Sequence, residues 1–168
     1  MDFLFNYISV SAFWTILLTL HMLLSVALLG AITHQALSVL LPVRRTAVAD
    51  GFVTRFRRVP GASYAGAVSL LWVLTFLLGA WIYTHYRVYV RVPIEQEGYW
   101  LTLGAFELKE HLAVIGLAML PIYWIFWQNP RDPAYDAGRR WTTGLLAAMV
   151  WFMFLTGHVV NNTRGFGS

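Results

Sequence analysis

The 168-residue chain contains no cysteine. That absence excludes iron–sulfur clusters, thiolate zinc sites, covalent c-type haem and disulfides, and leaves His, Met, carboxylate or backbone as the only ligands for a metal or haem. Charge is also scarce, since Asp, Glu, Lys and Arg make up 12% of the residues against 58% hydrophobic ones. The mean hydropathy is +0.60. A soluble domain of this length needs more charge to cover its surface, so the composition places the chain in the membrane class. No basic face runs along the chain: the net charge is only +4 and is concentrated in one loop, so nucleic acid is not an expected partner. The opening "MDFLFNYISVSAFW" carries Asp2, no Lys or Arg and no small-residue cleavage site. Its apolar stretch is therefore expected to stay as a membrane helix rather than to be removed as a signal peptide.

What the sequence does have is long apolar runs. About 20 helical residues cross the roughly 30 Å of bilayer hydrocarbon, and four segments qualify, near 13–41, 62–86, 101–127 and 141–160. Pro42 ends the first, Pro60-Gly61 opens the second, Pro93 sits in the loop after it, and "NPRDP" (129–133) separates the third from the fourth. Pro121 falls inside the third, where a kink is expected. The loop after the first span holds Arg44, Arg45, Arg55, Arg57 and Arg58 against the single acid Asp50. Arg131, Arg139 and Arg140 precede the fourth span, and the middle loop balances Arg87 and Arg91 with Glu95 and Glu97. The positive-inside rule puts the first and third loops in the cytoplasm and both termini on the outer, periplasmic side. The expectation is an all-α integral membrane protein, one four-transmembrane-helix bundle over 1–168, in a bacterial inner membrane.

This topology sorts the five histidines by depth. His21 lies roughly 12 Å into the first span and His111 roughly 15 Å into the third, from the same face. His85 and His158 form a second, shallower level at the outer ends of the second and fourth spans. Spans one and three of an up-down bundle are diagonal, as are two and four, so His21 is expected to face His111, and His85 to face His158. Facing imidazoles at one level are what axial ligation of b-type haem requires. Arg87 and Arg91 are placed to meet propionates, and Gly79, Gly104 and Gly116 to make room for a macrocycle, although small residues equally serve helix packing. His34 has no level partner and is read as structural, Met22, Met149 and Met153 as packing residues. His85, in "YTHYRVYVR", also fits an ordinary interfacial aromatic belt.

The run "FELKEHLAVIG" (106–116) opens the third span with four ionisable side chains. Glu107 and His111 are four apart and share a face, which makes Glu107 a candidate orienting carboxylate for a ligating imidazole. Lys109 is turned by about 200° from Glu107, so it is expected to snorkel outward or to pair with another helix. A solvated anchor at the outer interface is the plainer alternative for the whole run.

The early first-span His, "RFRRV" (55–59) leading into "PGASYAGAVSLLWVLTFLLGAWIY" (60–83), and the Lys opening the third span resemble the small helical membrane proteins of the HemJ and CopD type. The likeness covers roughly residues 12–120. It implies that His21 matches the first-span haem or metal His, Arg57 or Arg58 the basic position, and Lys109 the third-span Lys. HemJ proteins are haem-binding protoporphyrinogen IX oxidases, and CopD proteins act in copper resistance. The fourth span departs from HemJ, with His158 and "VVNNTRG" in place of an Asn-Glu-x-Pro-like segment.

The leading expectation is a b-type haem protein, with one or two haems, carrying electrons near the outer face. It would act alone, as a homo-oligomer or as the membrane subunit of a redox complex. The alternatives are a HemJ-type porphyrinogen oxidase, a CopD-like copper protein, and a cofactor-free accessory subunit of a respiratory complex.

Overall fold

The computed structural model describes residues 8–41, 51–57 and 59–163. Asp2, Pro42, Arg44, Arg45, Asp50 and Arg58, and the end of "VVNNTRG", lie outside them. The helices are α1 (Val10–Leu40), α2 (Phe52–Phe56), α3 (Gly61–Tyr89), α4 (Arg91–Gln96), α5 (Trp100–Gln128) and α6 (Asp136–Thr163), with a 3-10 turn at Pro133–Tyr135 before α6. Four of them, α1, α3, α5 and α6, are long and apolar enough to cross a membrane. They extend the expected spans by one to five residues at most ends, and α5 runs through Pro121 as one helix.

Local chemistry sets the helix ends. Ser9 Oγ accepts from the Ala12 N–H at 3.2 Å and caps α1. The expected loop between the second and third spans is largely helical: α4 carries Pro93 in its first turn, where proline is tolerated. The chain then reverses at Gly98, whose φ of +78° suits a residue without Cβ. Arg139, expected as a loop charge, is instead buried. Its guanidinium donates to the carbonyls of Phe126 (3.1 Å), Asn129 (2.9 Å) and Asp132 (2.6 Å) and to Asp136 Oδ1 (2.6 Å). It thereby satisfies carbonyls at the C-terminal end of α5 that have no helical partner.

The long helices pack in ring order α1–α3–α5–α6, so α1 lies diagonal to α5 and α3 to α6. One end of the bundle carries the start of α1 and the end of α6 (the termini end). The other carries α2 and the 3-10 turn (the loop end). The loop-end half holds the main core, with Leu28, Ile32, Ala36, Val68, Trp72, Leu120, Tyr123, Leu146 and Val150. Glycines let the indoles in: a Cβ on Gly116 would collide with Trp72, and one on Gly61 with Trp127. The Trp72 Nε1–H donates to the Ala113 carbonyl at 3.2 Å. Gln35 Nε2 donates to the Gly61 carbonyl at 2.9 Å, the Tyr123 hydroxyl donates to Gln35 Oε1, and Trp127 Nε1 donates to Thr143 Oγ1 at 3.3 Å. These four side chains are paired, as an interior without water demands, while Ser69 Oγ on α3 is buried without a partner. A smaller cluster of Tyr86, Val90, Ile94, Leu103 and Val160 closes the termini end.

His34 is held at the loop end. Its Nδ1–H donates to the Phe56 carbonyl at 3.0 Å and its ring lies 3.7 Å from that of Phe56, so it ties α2 to α1. This agrees with a structural role.

Candidate functional site

Between the two apolar clusters lies a polar layer. His21, on α1, stands seven, eleven and fourteen residues before Leu28, Ile32 and Gln35, all of them buried. Those intervals keep it on the inward face. Its ring rests on Gly79 of α3, where an added Cβ would lie 3.0 Å from His21 Cε1. The α3 backbone at Thr75 lies close to the ring. His21 Nδ1 and Thr75 Oγ1 are buried without partners.

Lys109 enters the same layer from α5. It precedes Gly116, Leu120 and Tyr123, all buried, by seven, eleven and fourteen residues, the same intervals as those of His21. Its Nζ lies 4.8 Å from the centroid of the Phe106 ring and 3.6 Å from where a Cβ on Gly157 of α6 would stand. The amine is within electrostatic reach of the His21 ring and of the Glu110 carboxylate. The side chain is half-buried, with its amine lying beside Phe106 and Gly157. Of the two expectations, snorkelling outward or pairing with another helix, the approach to Gly157 of α6 corresponds to the second. Lys109, not His111, is the α5 residue within electrostatic reach of His21.

His111 is exposed on the outward face of α5. Its Nδ1–H donates to the Glu107 carbonyl at 2.7 Å. The Glu107 carboxylate pairs with Arg91 Nη2 at 3.0 Å, so the backbone of Glu107 rather than its side chain orients the imidazole. The second expected level is not assembled either. His85 is stacked between Trp14 (4.5 Å) and Tyr89 (4.4 Å), while His158 is exposed on α6. Arg87 is exposed at the end of α3. Of the glycines expected to make room for a macrocycle, Gly79 is occupied by His21, Gly116 by Trp72, and Gly104 faces outward with nothing within 4 Å. Among the described residues, no three His, Asp or Glu side chains gather as a metal site.

Haem b is the group that the resemblance implies, and the layer fits it in one respect. An imidazole nitrogen and a threonine hydroxyl, both buried and unpartnered, are what a bound polar or ligating group would satisfy. The interior supplies one histidine nitrogen; His111 and His158 are exposed, and His85 is half-buried in its aromatic stack. No family model, curated protein or solved structure matches the chain.

Proposed function

We propose that this chain is a b-type haem-binding protein of a bacterial inner membrane, carrying electrons near the face that bears its termini. The observation that supports this reading is the convergence of His21 and Lys109 in one interior layer, with His21 Nδ1 unpartnered. These two residues are among those that the HemJ and CopD likeness singles out, with Arg57 or Arg58 as the third position. Ionisable groups within membrane spans are costly to keep and mark functional sites. The arginine excess between α1 and α3 supports a cytoplasmic loop end and an outer-facing His21 layer.

In this reading His21 would hold the haem iron, and the haem would supply one-electron exchange. The protein's own contribution is to orient and to exclude water. Close packing on Gly79 limits the orientation of the His21 ring. The Lys109 amine offers a positive charge to an anionic group in the layer. The clusters on either side keep the layer dry.

The test is a reduced-minus-oxidised absorption spectrum of the purified protein. A Soret and an alpha band are expected, to be lost in His21→Ala and kept in His111→Ala and His158→Ala. Wild-type protein without these bands, or bands that survive His21→Ala, would overturn the proposal. Stoichiometric copper without haem would favour the CopD-like alternative. Rescue of a strain lacking porphyrinogen oxidase would show that the same site is enzymatic.

A further inference from the structure

Gln35 of α1 and Tyr123 of α5 meet by a hydrogen bond across the diagonal of the bundle. Both helices run from the termini end toward the loop end. His21 stands fourteen residues before Gln35, and Lys109 fourteen before Tyr123. Counted back from that shared contact, each lies roughly 21 Å nearer the termini end, turned by the same angle about its own helix axis. The two residues are therefore level. Each also shares the side of its helix that carries buried residues seven and eleven positions on.

The other histidines and methionines of the layer's surroundings are engaged or turned away. His111 and His158 are exposed, His85 is stacked between Trp14 and Tyr89, and His34 Nδ1 is bonded to the Phe56 carbonyl at the loop end. Met149 and Met153 pack against the main core. Lys109 is different. Among the described residues its amine has no ion pair and no hydrogen bond, and it rests 4.8 Å from the centroid of the Phe106 ring. Toward a bound haem that amine has two uses. As an ammonium it can serve a propionate; with its third proton released, it can give its lone pair to iron, because metal ligands bind in their deprotonated form. A propionate leaves the macrocycle at its edge, so its partner need not be level with the first iron ligand. Opposed axial ligands must be.

Resting on the haem reading above, we infer that Lys109 Nζ is the second axial nitrogen, opposite His21 on the diagonal. The ligand set is then one imidazole and one primary amine, from two helices that run in the same direction. Coordination forms one bond from the amine lone pair to iron. The displaced proton passes to water, and no electron is transferred. Filling both axial positions from the chain suits electron exchange and leaves no open position for a further ligand.

The test is the spin state and the near-infrared magnetic circular dichroism of the purified ferric protein. Low-spin haem with the charge-transfer band of an imidazole–amine pair is expected in the wild type. Lys109→Met should keep haem on His21 and turn most of it high-spin. Lys109→His should restore low spin, with the band of a bis-imidazole pair. A wild type that is high-spin, or that shows a bis-imidazole or imidazole–thioether band, would overturn the inference. So would low-spin haem that persists unchanged in Lys109→Met. The wild-type band needs no variant, so it decides even where Lys109→Met fails to fold. Wild-type protein with no Soret band overturns the haem reading and this inference together. High-spin haem that is lost in His21→Ala overturns this inference alone.

Discussion

The loop-end core and the His21 layer are built from the same helices by opposite rules. In the core, the polar groups of Gln35, Tyr123, Trp127 and Thr143 are paired with one another or with backbone, and indoles fill the space above Gly61 and Gly116. In the layer, about two turns away along each helix, a lysine amine enters the interior and an imidazole nitrogen and a threonine hydroxyl are left unpartnered. The first arrangement maximises packing and hydrogen-bond satisfaction. The second sacrifices both, and such a sacrifice is the ordinary mark of a functional site. The difference separates a packed level, where indoles fill the space over glycines, from a level that holds ionisable and unpartnered polar groups.

The comparison can be broken most strongly at Trp72. Trp72→Ala removes an almost fully buried indole and its bond to Ala113. It should cost about 3 kcal/mol of stability, read as a large drop in the thermal midpoint in a fixed detergent. Tyr123→Phe should cost about 1–2 kcal/mol by the same measurement, because it leaves Gln35 Oε1 buried and unpaired. In the layer the sign should reverse. Lys109→Met removes a half-buried charge while keeping the volume, and should raise stability by up to about 1 kcal/mol while impairing whatever the layer binds. A loss of stability of similar size would mean that Lys109 belongs to the structural network instead. The smallest stability effect is expected at Gly79→Ala, within about 0.5 kcal/mol, because the gain in helix propensity offsets the tight contact. Its consequence is a displaced His21 ring, to be read in the imidazole NMR signals or, if haem binds, in the position of its bands.

Much of the fold was legible in the chain. Length and hydropathy located four membrane helices, and Pro60 and the "NPRDP" segment stand where a helix begins or ends. Depth was legible as well, since rise per residue gives the level of each histidine once the helix starts are known. Facing was not. On α5 the inward residues Leu103, Leu120 and Tyr123 are no more distinct in apolarity than the outward Leu108, Val114, Ile115 and Ile122. Lipid is as apolar as the core, so the amphipathic signal that orients a soluble helix is absent. The 200° between Glu107 and Lys109 was correct, but it assigned the inward side to the wrong residue. The shared spacing of His21 and Lys109 to glycine, leucine, glutamine and tyrosine positions downstream was a signal available in the sequence. It acquires meaning only when Gln35 and Tyr123 are seen to meet across the diagonal.

By itself, the sequence determined that this is a cysteine-free helical membrane chain with ionisable groups placed at two depths near one end. Both follow from local quantities, namely composition, run length and rise per residue. Only the tertiary structure decided that Lys109 turns in toward His21, that His111 turns out, and that Arg139 is sealed beneath the end of α5. Rotation about a helix axis is set by neighbouring helices, through the glycines that admit Trp72 and Trp127 and the bonds that join Gln35 to Tyr123. In a chain whose faces are equally apolar, packing alone supplies that information.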